Sequence, residues 1–146
     1  MATGERKDPY AGFNFIVSID GIGEAGFSEC SGLSTDTDPI EYRVGKDDNT
    51  MRKLPGLKKF ANISLKRGIT QDMQLWQWRA SVLAGTTQRK AGSITLLNEA
   101  RQPALRWKFK EAWPNKWEGP SLNAKSGEVA IETLEIVHEG LELEVA

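Results

Sequence analysis

Apolar and polar residues alternate along most of this chain, and the rhythm breaks once. From Phe60 to Arg67, Ile63 and Leu65 fall on one side while Asn62, Ser64 and Lys66 fall on the other. That two-residue period predicts a half-buried strand. Between Gln71 and Ala84 the period lengthens: Met73, Trp76, Ala80 and Leu83 recur at three- and four-residue steps, and Leu75 and Val82 widen the stripe. Thr70 suits an N-cap, Asp72 suits the first turn, and Gly85 suits the stop. No other stretch carries this helical period. A mainly β chain with one flanking helix over a sheet face or end is therefore expected.

The remaining strands follow in order. Phe13, Phe15, Val17 and Ile19 alternate with polar neighbours up to Asp20-Gly21, a turn signal. A second strand is expected from Ala25 to Leu33, resuming from Ile40 to Val44 beyond a turn at Thr35–Pro39. Ser93 to Asn98 reads as a short strand. Leu105, Trp107, Phe109 and Trp113 alternate with Arg106, Lys108, Lys110 and Ala112, and Pro114 is expected to end that run. Glu128 to His138 is β-rich, with a phase slip between Ile131 and Leu134 that predicts a bulge or a strand buried on both faces. Leu141, Leu143 and Val145 alternate with Glu142 and Glu144. The sum is about six strands in antiparallel sheets with one side wet. Glu132 and Glu135 are expected on the wet side, where the Arg106–Lys110 face pairs with them.

Gly45 to Lys59 has no sustained period, and predicts a long connection that is functional or mobile. Its apolar residues Met51, Leu54 and Leu57 suggest that a partner surface orders it. Residues 1–10 are polar and predict a loose arm.

Length and charge narrow the function. At 146 residues the chain is expected to be a single domain, 1–146. The formal net charge of −1 gives no field that favours nucleic acid or an anionic membrane. One cysteine excludes an intrachain disulfide framework. No apolar run is long enough for a bilayer, so the monomer is not expected to insert into one. The N-terminus lacks a signal peptide's apolar core, which predicts synthesis in the cytoplasm.

Candidate chemistry is sparse. Gly21-Ile22-Gly23-Glu24-Ala25-Gly26 matches G-x-G-x-x-G, but no helical stripe follows it to hold a pyrophosphate, so a hairpin turn is the better reading. Cys30 and His138 are the sole residues of their types and lie in predicted strands. They suit a buried cysteine and a surface or interface histidine better than a nucleophile pair. One of each leaves a monomer no zinc set. Trp113 and Trp117 flank Lys116, and form either strand-end or interface anchors or a stacking platform for a glycan. No catalytic, cofactor or metal constellation is expected, so an enzyme acting through Cys30 is the weakest reading.

Several stretches together resemble one family. Pro9-Tyr10, Phe13-Asn-Phe15, Gly26-Phe27-Ser-Glu29, Ser31-Gly32-Leu33, Ile40-Glu-Tyr-Arg43 and Arg52-Lys-Leu-Pro-Gly-Leu57 are similar to the tail tube proteins of contractile-tailed phages. So are Ile63–Gly68, Leu75–Arg79, Ala112–Pro120 and Glu128–Glu135, in the same order. Tube proteins of extracellular contractile injection systems look nearest, and the ring protein of type VI secretion is the related alternative.

That resemblance implies two packed antiparallel sheets with a flanking helix, hexameric rings, and inner sheets joined into one continuous inter-subunit β-barrel. Rings would stack into a hollow tube inside a contractile sheath, with baseplate and terminator proteins at its ends and effector or DNA cargo in its lumen. The particle would be a phage tail or an extracellular tail-like device. Residues 45–59 would be the extended ring-to-ring attachment loop, acting through Met51, Arg52, Leu54, Pro55 and Leu57. Asn62, Ser64, Lys66, Arg106, Lys108 and Lys110 are expected to face the lumen, with Glu29 and Glu132 as further members. Closing a sheet into a ring would also remove its edges.

Overall fold

The computed structural model describes residues 8–43, 45 and 50–146. Most of the predicted arm over 1–10, and positions 46–49 of the 45–59 segment, lie outside the described residues. In chain order the elements are β1 (Phe15–Ile19), β2 (Gly23–Ala25), β3 (Glu29–Ser31), β4 (Thr35–Tyr42), β5 (Arg52–Phe60) and β6 (Ile63–Gly68). Then come α1 (Gln74–Leu83), β7 (Lys90–Leu97), β8 (Pro103–Glu118), β9 (Ile131–Val137) and β10 (Leu141–Val145).

β8 organises the whole. Its first half lies between β7 and β10, and its second half pairs with β9. The resulting order is β2-β1-β7-β8-β9-β6-β3, antiparallel throughout, with β10 on the other side of β8. Glu111 sits at φ 54, between the two halves of β8. A non-glycine residue there is uncommon and marks a local distortion of the strand. The two halves thus belong to two layers. Val17, Ile19, Ile94 and Phe109 from one layer meet Ile63, Leu65, Leu134 and Ile136 from the other in a single core. The outer faces of the layers therefore point away from each other.

Among the described residues the expected two sheets and lone helix are present, and several details differ. The predicted turn at Thr35–Pro39 is part of β4, and Arg52–Phe60 is a strand, so the second half of the expected loop is one strand of a β-hairpin. Among the described residues β4 and β5 pair only with each other. A two-stranded ribbon that buries neither face in the core imposes no alternation on its sequence, which is why no period was visible. Pro114 does not end β8: the strand runs on to Glu118 through a register shift between Pro114 and Lys116. β9 carries no bulge in its pairing with β6. The apparent slip arises because Glu132 takes a core position and Ile131 is left exposed.

The helix begins three residues later than expected. Thr70 does not cap it. Thr70 Oγ1 accepts from the Asp72 amide, and Asp72 Oδ1 accepts from the Gln74 amide, a turn leading into the helix. Gly85 does follow the end, at φ 80, donating to Val82 O. Leu75 and Trp78 are the buried positions. Met73 and Leu83, half of the predicted stripe, are 51% and 61% exposed. Trp78 donates its indole N–H to Gln88 O, which ties the helix to the segment entering β7.

Candidate functional site

Three surfaces carry the residues singled out by sequence. The first is the outer face of the β3-β6-β9-β8 layer. Because Ile63, Leu65 and Arg67 point into the protein, Ser64 and Lys66 must point out. Cross-strand register sets Lys66 between Glu29 and Thr133, and Ser64 between Ser31 and Glu135. Lys66 Nζ lies 3.7 Å from Glu29, both well exposed. Asn115 donates to Glu135 at 2.9 Å. Exposed Lys116 and Glu118 extend the face along β8, and Asn62 is exposed at the start of β6. The result is a polar surface of small residues and interleaved charges of both signs.

The second surface lies on the other layer. Arg106 and Lys108 sit opposite Glu144 and Glu142 of β10. Both reach Glu144, at 3.5 Å and 3.2 Å. They do not pair with Glu132 or Glu135, as alternation had suggested. Lys110 continues this face. Arg106, Lys108 and Lys110 therefore do not share a surface with Asn62, Ser64 and Lys66, because the core separates them. Alternation assigns a residue to one side of its own strand, and only the layer arrangement relates two such sides.

The third surface is the β4–β5 hairpin. Leu54 and Pro55 oppose Ile40 and Pro39, and Arg52 opposes Tyr42. Ile40 and Leu54 form a cross-strand pair on one face, 52% and 48% exposed. Leu57, beside the register shift of the hairpin, is 74% exposed, and Met51 is exposed just before β5. Lys59 pairs with Asp38 at 2.9 Å. At the hairpin root, His138 Nδ1 lies 3.0 Å from Gly140 O and its Nε2 lies 3.0 Å from Ala61 O. The ring thereby joins the β9–β10 turn to the β5–β6 connection.

One cluster was missed in the sequence. Arg67 donates its Nε–H to Glu132, with side-chain exposures of 7% and 3%. Asp72 lies 3.3 Å from Arg67, and Trp117 donates its indole N–H to Glu132 at 3.3 Å. Glu132 is therefore buried and not on a wet face. Trp117 packs edge-on against Trp76 of α1, 4.9 Å between centroids. With its ring packed and its N–H engaged, Trp117 is not an open platform for a sugar. Trp113 is half-buried further up β8. The one signal for this cluster was an acidic residue breaking the apolar phase of β9.

Catalytic chemistry finds no support in the remaining groups. Burial pushes the Cys30 thiol from 9.0 up to about 11, which disfavours the nucleophilic thiolate. His138 has both ring nitrogens against backbone carbonyls, and the G-x-G-x-x-G stretch spans the β1–β2 turn and β2. Among the described residues no acidic, histidine or cysteine group is arranged to hold a metal, and no helix is long and apolar enough to cross a membrane.

Comparison with known proteins places this architecture. In the PVC extracellular contractile injection system, a chain of the extended sheath-tube complex is similar at TM-score 0.85 and 27% identity, covering 94% of this chain and 93% of that one. A chain of the anti-feeding prophage cap, a tube-terminating cap, reaches TM-score 0.88 and 26% identity over 99% and 97%. Hcp1 from Flavobacterium johnsoniae shares the fold, at TM-score 0.59 and 17% identity over 90% and 94%. No curated protein sequence matches. The family model for the T4-like virus tail tube protein gp19 matches residues 11–142, which take in both layers, the hairpin and the helix. The chain belongs to that tail tube family, and its role is that of a structural tube component of contractile injection systems and phage tails.

Proposed function

We propose that six copies close into a ring through the β3-β6-β9-β8 layer, and that its outer face lines a water-filled pore. The observation that carries this is the layer itself. Its strands are core-like on one side and mainly polar on the other, and among the described residues it ends at a three-residue strand, β3, with no neighbour beyond it. An unpaired edge invites pairing with another chain, and closure into a barrel removes every edge. Asn62, Ser64, Lys66 and Glu29 then face the lumen, joined by Glu135, Lys116 and Glu118. Mixed charges let polar cargo, protein or nucleic acid, pass without tight binding. Arg106, Lys108 and Lys110 leave the lumen set and cover the opposite layer.

The hairpin takes the part expected of residues 45–59 and joins one ring to the next. A lone two-stranded ribbon is marginal in water, so this one gains its order in the assembly. The sheath, cap and baseplate of the similar particles name the partners this tube would meet, and its role is mechanical, without catalysis.

A Ser64→Cys variant tests the pore in a Cys30→Ala background. Assembled tubes should react with a small maleimide and resist one carrying a large polymer, while dissociated chains react with both. Equal labelling of tubes by the polymer reagent would place this face outside and end the proposal.

A further inference from the structure

We infer that the Ile40–Leu54 pair on the hairpin of one copy docks into the apolar hollow beside α1 of a second copy, in the neighbouring ring. This rests on the tube reading above and names the surface that receives the hairpin. The hollow has a volume of about 240 Å³ and is walled by Ile69, Met73, Trp76 and Trp117, with Glu132 and Asp72 at its polar side. It is smaller than the ~300–1,000 Å³ of small-molecule sites, and suits one or two aliphatic side chains.

Three observations select the hairpin as occupant. The first is placement. The hairpin enters β6 at Ile63 through Ala61 and Asn62, whereas the hollow begins at Ile69, beyond the other end of β6. The strand between them spans about 20 Å at ~3.3 Å per residue. A knob at one end and a socket at the other cannot satisfy each other within one ring-mate pair by two-fold symmetry. They form a heterologous contact that repeats without closing, which is how a stack grows. The second is chemistry. Ile40 and Leu54 are half exposed on a ribbon that has no third strand to cover them. The third is charge. Arg67, Asp72 and Glu132 leave one net negative charge at the hollow, and Arg52 lies two residues before Leu54, on the same face of β5.

The test mixes two singly substituted chains, Leu54→Cys and Met73→Cys, each with Cys30→Ala. After assembly, a short bismaleimide should give abundant mixed dimers on a denaturing gel. Leu54→Cys mixed with Leu143→Cys, a β10 position 58% exposed, should give none above background. Tubes that form without Leu54–Met73 dimers overturn this inference alone. Failure of the parent chain to form rings or tubes overturns the tube reading instead. Met73→Glu should leave monomer melting unchanged and weaken stacking at least tenfold. Normal stacking by that variant, or capture of the Met73→Cys position by added sheath protein in place of the hairpin, also overturns it.

Discussion

Arg67 and Glu132 are joined inside the protein by a charge-assisted hydrogen bond, on strands that lie side by side in the register Arg67↔Glu132. Both side chains are more than nine-tenths buried, so each depends on the other. Asp72 and the Trp117 indole supply further partners. Removing one member leaves the other charge buried without its closest partner. Arg67→Met or Glu132→Leu should each cost about 3–5 kcal/mol, whereas the double variant should lie within about 1 kcal/mol of the parent. Urea denaturation of the dissociated chain measures all three. Additive losses in the double variant would mean that the two residues stabilise the fold separately.

This pair also explains where sequence reading stopped. Strands such as β6 were legible because one face is buried and one is wet, so Ile63 and Leu65 alternate with Ser64 and Lys66. Glu132 was misplaced because alternation treats an acidic residue as a solvent marker, and its partner lies 65 residues away in sequence. The hairpin was illegible for the opposite reason: with both faces outside the core, Leu54-Pro55-Gly56-Leu57 has no period to display. Pro114 misled because a proline is tolerated where a strand shifts register. Ser64, Lys66, Arg106 and Lys108 do point away from the core on their own strands, whereas Glu132 does not. Their division between two layers depends on the crossing of β8, which no local pattern encodes.

Gly32 stands where β3 turns into β4, and it is held by backbone geometry. Its φ is +91, and a Cβ there would fall 2.0 Å from Asn62 O. The conformation alone costs an alanine about 1–2 kcal/mol. The obstructing atom belongs to the β5–β6 connection and cannot rotate away. Gly32→Ala should therefore destabilise by more than ~3 kcal/mol or yield insoluble protein. Circular dichroism melting decides it, and a parent-like melt would show that the two connections are not in register contact. Gly127→Ala is the control, since nothing lies within 4 Å of its added methyl.

Cys30 sets a pH dependence whose sign follows from its burial. The folded thiol ionises near 11, above its ordinary 9.0. The unfolded chain loses this proton first, so the native state loses stability as pH rises from about 9 to about 11, and is unaffected below that window. Tyrosines and lysines titrate nearby, so the measurement is the difference between the parent and Cys30→Ala. That difference should shift against the parent across this range. The same shift predicts slow alkylation: at pH 8 the folded thiol should react with iodoacetamide about 100-fold more slowly than the denatured chain. Equal rates would show that Cys30 is open to solvent.

Lys66 separates what a residue does for the fold from what it does for the tube. Its contact with Glu29 is long and well exposed, and such pairs contribute about 0–1 kcal/mol. Lys66→Glu combined with Lys116→Glu should therefore leave the melting of the dissociated chain within a few degrees of the parent. In a closed ring the same two changes act six times over at each level of the stack. They remove the positive members of a face that otherwise balances Glu29, Glu135 and Glu118, and the pore becomes acidic throughout. A fluorescent single-stranded oligonucleotide should then enter the variant tubes far less than the parent tubes, and added salt should narrow the gap, because the repulsion is screened over about 10 Å at 0.1 M. Charge on an outer wall would be diluted by solvent on every side and would not govern entry. Unchanged uptake in well-formed variant tubes would thus assign the lumen to another face, and the opposite layer, with Arg106, Lys108 and Glu144, would be the surface to invert next.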